Sequence, residues 1–274
     1  MKKKILIVGC NSYLANGISF DLDKYSVCFI NRPLAQHDFY KYSYYDYIIN
    51  FCIQPEFFLK NINENEMIDI QIARKIQNNT TKFIFLSSRK VYGSSYKLKT
   101  FNELDILNPY DFYSDNKCTV EDKLTNILGD NLLVFRVGNI IGEPSNKPQY
   151  NTLIGWIERQ LIANKKIYCN INKDVKKDTI SRRYFQYALQ KSIDLNLSGV
   201  YNLGANFALS TCDLFNKILP NNYFEFTKPT CLGEQFILDC SKINSYIEKL
   251  EEIVFFNDCR NIKNSFIKLT DKVN

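Results

Sequence analysis

Glycine and histidine are scarce in this chain, with ten and one, respectively, among 274 residues. With His37 as the single imidazole, most zinc hydrolase sites are excluded, and a Ser-His-Asp relay has one candidate base. Acid–base chemistry therefore falls mostly to Tyr, Lys, Ser, Asp or Glu; His37 itself reads as a loop residue. The nine cysteines stand singly and none forms a Cys-x-x-Cys pair. That pattern predicts neither a disulfide framework nor a structural zinc site, and no metal is expected. No stretch approaches the roughly 20 consecutive apolar residues that span a bilayer. Lys2-Lys3-Lys4 leads into only four apolar residues, Ile5 to Val8, too few for a signal-peptide core. The expectation is a cytoplasmic protein without membrane association. Internal repeats and low-complexity segments are also lacking.

The rest of the composition is ordinary for a globular chain, with 45% hydrophobic residues. Its length allows one large α/β domain or two associated lobes. Net charge is +6, from 35 basic and 29 acidic residues spread along the chain. That suits an anionic small molecule at least as well as nucleic acid, for which charge is the sole argument, and no nucleic-acid partner is expected.

Five short runs are apolar without alternation: Ile5 to Val8, Val27 to Ile30, Tyr47 to Ile49, Phe83 to Leu86 and Leu132 to Phe135. Such runs fit strands covered on both faces, as in a parallel sheet. Helical spacing separates them, with Met67, Ile70, Ala73 and Ile76 on one face of a helix over 66–76. Asn108-Pro109 predicts a helix start with Asn as cap and Pro at the first position, and Gly129 a helix end. Strands alternating with helices predict a Rossmann-like, doubly wound α/β fold. Past Pro144 the pattern becomes more helical, with helices expected around Trp156 and starting at Ser210 and Ser241.

Gly9 follows the first strand in Gly9-Cys10-Asn11-Ser12-Tyr13-Leu14-Ala15. A dinucleotide-binding turn has glycine at the first two of its three small positions; here Ser12 holds the second and Ala15 the third. By itself the segment reads equally well as a plain strand-turn-helix. The second strand ends in Asn31-Arg32 where an NAD site would place a carboxylate. Arginine pairs with a 2′-phosphate and a carboxylate repels one, so the expected cofactor is NADPH, ahead of NADH or NAD.

The most specific pattern is Tyr113-Ser114-Asp115-Asn116-Lys117. Its i, i+4 spacing puts Tyr113 and Lys117 on one helix face. An ammonium beside a phenol is expected to lower its pKa from near 10 and make it a usable acid or base. The strand before it ends Ser87-Ser88, where a hydroxyl at a carboxyl strand end faces a ligand crevice.

These segments together resemble the extended short-chain dehydrogenase/reductase family, in its nucleotide-sugar-modifying branch. Ser-Ser-x-x-Val-Tyr-Gly at 87–93, then Pro109, Tyr113, Lys117 and Glu121, is similar to that family's central segment in order and spacing. Arg136 to Gly142, Lys177 to Ile180 and Gly199 to Gly204 resemble its later segments. The likeness spans most of residues 4–204 and is looser over 205–274. It implies a dinucleotide-binding part at 1–142 and 176–204, and a carboxyl-terminal substrate lobe at 143–175 and 205–274. It implies Tyr113, Lys117 and Ser88 as catalytic residues. Gly9, Ser12, Tyr13, Leu14, Asn31, Arg32, Phe51, Cys52 and Ser87 would line the cofactor, joined by Tyr113 and Lys117. Ser88, Arg89, Lys90 and Asn139 would meet a nucleotide-sugar substrate. A homodimer through a helix pair including 109–128 is also implied.

Arg89-Lys90 stands where the family's 4,6-dehydratases carry an Asp-Glu pair, so dehydration is disfavoured. The lone His37 lies far from where the fucose-forming epimerase-reductases need one. The remaining expectation is NADPH-dependent reduction of a keto group on a nucleotide-linked 6-deoxyhexose, for surface-polysaccharide sugars. A 4-epimerase holding NAD through turnover is the first rival. A non-catalytic NADP-binding regulator is the second, favoured by the eroded turn and opposed by the intact Ser, Tyr and Lys.

Overall fold

The computed structural model describes residues 2–32, 41–145 and 152–271. His37 and the end of the loop after Glu143 lie outside them. The chain divides into two compact units, the first formed by Met1–Gly93, Glu103–Val137 and Leu189–Asn202. Its centre is a six-stranded sheet, with strands numbered here within that sheet. They are β1 (Lys3–Val8), β2 (Tyr25–Ile30), β3 (Tyr47–Asn50), β4 (Lys82–Ser88), β5 (Leu132–Val137) and β6 (Gly199–Leu203). The spatial order is β6-β5-β4-β3-β1-β2, and the pairings from β2 through β1, β3 and β4 to β5 are all parallel.

All five apolar runs form these strands, and in the four interior ones the reason is visible in their burial, while Phe29 of edge strand β2 is exposed. Ile5 to Val8 of β1 are fully buried, and every residue of β3 and β5 is buried. Covering both faces of a strand leaves no position for a polar alternate, so the run is continuous. The helices α1 (Ile68–Ile76) and α2 (Phe112–Leu128) supply Ile70, Ile72, Ala73, Ile76, Val120, Leu124 and Leu128 to one core with Leu6, Val8, Phe83, Phe85 and Val134. Each such large aliphatic side chain contributes about 1.5–3 kcal/mol by its burial.

Two details depart from the sequence expectation. The helix expected from Asn108-Pro109 begins three residues later, because Asp111 is the cap: its carboxylate accepts from Ser114 N at 2.8 Å, and Ser114 Oγ accepts from Asp111 N at 3.2 Å. That reciprocal box satisfies two otherwise orphaned amides. The end at Leu128 is as expected, with Gly129 at φ +50°. Secondly, the segment after β1 makes only a three-residue 3₁₀ turn, Ala15–Gly17, before the chain returns to β2.

Topology places the chemistry. The neighbours of β1 are β2 on one side and β3 on the other, so the strand order reverses there, and the carboxyl ends at such a point form the ligand crevice of doubly wound sheets. Gly9 leaves β1, Phe51 and Cys52 leave β3, and Ser87-Ser88 ends β4, all at that edge.

The second unit comprises Ser94–Asn102, Gly138–Ala188 and Leu203–Asn274. It contains a three-stranded sheet of Asn139–Ile141, Lys176–Ser181 and Ala208–Ser210. Helices Leu153–Asn164, around Trp156, and Thr211–Ile218, capped by Ser210, stand where the sequence predicts them. Ser241 opens a short helix, Ser241–Asn244. The carboxylate of Asp178 is fully buried and accepts amides of Ala205 at 2.6 Å, Leu238 at 3.1 Å and Asn206 at 3.2 Å. A Cβ on Gly204 would fall 2.6 Å from it, so that glycine is required by close approach.

Candidate functional site

Tyr113 occupies the first turn of α2 and packs, half-buried, against the core of the first unit. Its side chain hydrogen-bonds with Ser88, the last residue of β4. The structure thus brings together two of the three residues expected to do chemistry. Ser88 is itself fixed as the cap of the turn Arg89–Tyr92, accepting from Lys90 N at 3.3 Å.

Lys117 is one helical turn further on, as its spacing predicts, but its ammonium is engaged elsewhere. Nζ donates to Leu86 O at 2.7 Å and lies 4.5 Å from the centre of the Phe85 ring, against 5.9 Å from that of Tyr113. Burial pulls the Lys117 pKa down, and the charges of Asp69 and Glu121 work against that. The expected lowering of the phenol by Lys117 is corrected accordingly. Burial pushes Tyr113 up to about 12; the hydrogen bond to Ser88 and the charge of Arg89 oppose it, while Asp111 adds to it. Desolvation of a phenolate outweighs an ammonium that points to a carbonyl.

The next two residues are both cationic. Arg89 is buried, whereas Lys90 is partly exposed and pairs with Asp111 at 2.6 Å, its Nζ 5.8 Å from the centre of the Tyr113 ring. Burial raises the Asp111 carboxyl, but the hydrogen bonds from Lys90 and Ser114 prevail and hold it below its usual value.

On the other side of the edge, Gly9 has φ +88°, and a Cβ there would lie 2.8 Å from both N and Sγ of Cys52. No other residue permits that approach between the ends of β1 and β3. Gly9 N and Cys10 N both donate to Ile30 O, at 2.8 and 3.1 Å, which ties the turn to the end of β2. Asn31, exposed, and Arg32, partly buried, follow, and the charge of Arg32 is felt at Cys52. Phe51 is buried. Ser12 Oγ accepts from Ala15 N at 3.1 Å, Tyr13 is buried and Leu14 precedes the 3₁₀ turn. Ser87, 5% exposed, has a hydroxyl with no hydrogen-bond partner. Asn139 belongs to the second unit, in register with Thr179.

A dinucleotide meets a mixed reception at this edge. The close approach at Gly9, the unsatisfied Ser87 hydroxyl and Arg32 fit one. The helix N-terminus that would face a pyrophosphate is reduced to the Ala15–Gly17 turn, so binding would rest on individual backbone and side-chain contacts, without a helix dipole. Among the described residues no group of three His, Cys, Asp or Glu side chains could hold a metal, and no helix is long and apolar enough to cross a membrane.

Sequence reasoning missed four contributors. Asp111 was legible as the first residue of an Asp-x-x-Ser cap. Asp69 is buried on α1, accepts from Asn50 Nδ2 at 2.7 Å and faces the Lys117 charge. Asn116 is buried among backbone groups of the segment 57–62. Phe58 stacks on Tyr113. No local pattern marks the last three.

No family model matches the chain, and no curated protein matches it by sequence. Solved structures do match over nearly the whole length of both chains. A UDP-N-acetylglucosamine 4-epimerase from Methanobrevibacter ruminantium is 17% identical with a TM-score of 0.76, covering 98% of this chain and 99% of its own. A dTDP-4-dehydrorhamnose reductase from Yersinia enterocolitica is 21% identical, TM-score 0.71, covering 97% and 100%. RMD from Pseudomonas aeruginosa, in complex with NADPH, is 16% identical, TM-score 0.74, covering 99% and 100%. The chain shares its fold with these three enzymes. The expected Rossmann-like class is therefore found, in a form shared with enzymes that include epimerases and reductases of nucleotide sugars.

Proposed function

We propose that the protein is an oxidoreductase that reduces a keto group on a nucleotide-linked sugar, with Tyr113 as proton donor. The observation that carries this reading is the Ser88–Tyr113 pair at the end of β4, with the phenol pushed up to about 12. At neutral pH such a phenol is protonated, the form a ketone reduction consumes. Ser88 would hydrogen-bond the carbonyl oxygen, and Tyr113 would hand its proton to that oxygen as negative charge develops there. Lys117, tied to Leu86 O, would hold a cofactor ribose. NADPH, when bound, supplies the hydride.

Gly9, Ser12, Tyr13, Leu14, Phe51, Cys52 and Ser87 are the proposed cofactor contacts, with Asn31 and Arg32 meeting the 2′-phosphate. Arg89, Lys90 and Asn139 are the proposed substrate contacts. Two cations after Ser88 offer neither the acid nor the base of a dehydration. The preferred substrate is a 4-keto-6-deoxyhexose on a nucleoside diphosphate, of the kind used for surface polysaccharides. The reductase from Yersinia enterocolitica and the NADPH complex from Pseudomonas aeruginosa support this choice by fold. The epimerase from Methanobrevibacter ruminantium keeps the 4-epimerase as second reading. A homodimer through α2 belongs to the same proposal.

Calorimetric titration with NADPH and, separately, NADH tests it, followed by turnover of a nucleotide-linked 4-keto-6-deoxyhexose. Tighter binding of NADPH with turnover supports the reductase. Preference for NADH, or NAD carried through purification, would move the assignment to the epimerase. Binding of neither would leave the regulator and the enzyme alike without a cofactor and defeat the proposal.

A further inference from the structure

The chain between β3 and α1 passes the site through the 3₁₀ turn Pro55–Phe58. Its course there is pinned by α2. Asn116, buried one residue before Lys117, donates from Nδ2 to Lys60 O at 2.8 Å and Phe57 O at 3.3 Å, and its Oδ1 accepts from Ile62 N at 3.0 Å. The Phe57 ring is buried, with the Lys117 ammonium 5.8 Å from its centre. Phe58 sits between these two anchored points, the carbonyls of Phe57 and Lys60. It lies flat on Tyr113, ring centres 4.9 Å apart and planes 2° from parallel, the offset stack that aromatic quadrupoles favour. Phe58 remains 48% exposed, so burying its own surface does not account for the placement.

We propose that Phe58 is a positioning residue for Tyr113: its ring, stacked on one face of the phenol, steers the hydroxyl toward Ser88 and keeps water off that face. The consequence is a proton donor held loaded and aimed. This rests on the reading of Tyr113 as the acid of the reaction. The charges around the phenol come from its own helix, with Asp111 capping α2 and Lys117 one turn further on, and from Arg89 and Lys90 after β4. Three of these are cations and one is an anion, but Lys90 is paired to Asp111 and Lys117 is turned to Leu86 O. Burial is the largest influence on this phenol, and the stacked Phe58 ring contributes to it on one face.

The test compares Phe58→Ala, Phe58→Leu and Phe58→Tyr. For each, the titration of Tyr113 is read as tyrosinate absorbance minus that of the same variant carrying Tyr113→Phe, which needs neither cofactor nor substrate. Loss of the ring is expected to bring the midpoint down by about one pH unit or more in Phe58→Ala. A smaller drop is expected in Phe58→Leu, which covers the face without stacking, and none in Phe58→Tyr. In turnover of the keto sugar, kcat is expected to fall about tenfold in Phe58→Ala at unchanged KM, with recovery in Phe58→Tyr. A midpoint that stays at the parent value in both Phe58→Ala and Phe58→Leu overturns the proposal. Should the midpoint move while no variant, nor the parent, reduces a keto sugar, the positioning role stands and the proposed reaction falls.

Discussion

The two halves of the sheet edge have been treated very differently. Around Tyr113 every contact is over-determined. A reciprocal cap starts the helix, Asp111 and Ser88 each serve two neighbours, and Asn116 ties a whole segment to α2. Around Gly9 the turn keeps its positive-φ glycine but has Ser12 in place of a second one, and its helix has shrunk to Ala15–Gly17. The lesson is that the proposed proton chemistry and the proposed dinucleotide binding would place separate demands on the same fold. The first needs a few atoms held in register; the second needs open backbone, which this chain offers sparingly.

The sharpest way to break that contrast is at Tyr113, the proposed proton donor. Tyr113→Phe is expected to lower kcat by roughly 10²–10⁴-fold, the usual worth of a general acid. NADPH affinity, measured by calorimetry, should stay within a factor of two or three (about 0.5 kcal/mol). Equal loss of binding and turnover would mean the two halves are one site energetically.

Next comes the frame behind the chemistry. Arg136 and Glu121 form a buried pair, 2.7 Å from Nη2 to Oε2. Arg136 Nη1 donates to Tyr92 OH at 3.1 Å, and Tyr92 OH donates to Asn202 Oδ1 at 2.6 Å. Arg136→Met should leave the Glu121 carboxylate buried and unpaired and cost about 3–5 kcal/mol in denaturant unfolding. A loss below about 1 kcal/mol would show that water reaches the pair.

On the weaker side, Gly9→Ala introduces a Cβ 2.8 Å from Cys52 N at a φ that side chains rarely adopt. The expected cost is about 1–3 kcal/mol in stability, with dinucleotide binding lost in calorimetry. Binding at parental strength would remove the turn from the cofactor site. The smallest effect is expected from Ser12→Gly, which deletes the bond to Ala15 N and restores the second glycine of a dinucleotide-binding turn. It should destabilise by about 0.5–1.5 kcal/mol while tightening NADPH binding. A weaker complex would instead make the Ser12 hydroxyl a ligand contact.

Much of this molecule was written locally. The five apolar runs became strands of a parallel sheet; in the four interior strands this is because a strand covered on both faces has no room for polar alternates, whereas edge strand β2 leaves Phe29 exposed. Gly129 ended α2 as expected, and Ser210 capped its helix, because a cap is a contact between residues within one helical turn. The resemblance around Ser88, Tyr113 and Lys117 put two hydroxyls of a candidate site into contact, and its companions Tyr92, Glu121, Arg136 and Asn202 turned out to be the buried network beside them.

What sequence by itself determined, then, was the class of fold and which residues share a strand end or a helix face. Tertiary structure alone decided the electrostatics. Spacing puts Lys117 beneath Tyr113, yet its ammonium donates to Leu86 O, and burial raises the phenol where proximity on a helix argued for lowering. The stacking partner of that phenol is 55 positions away in the chain, on a turn that only the packing against Asn116 brings there. Charge and solvent exposure depend on every neighbour within several ångströms, and most of those neighbours are remote in sequence.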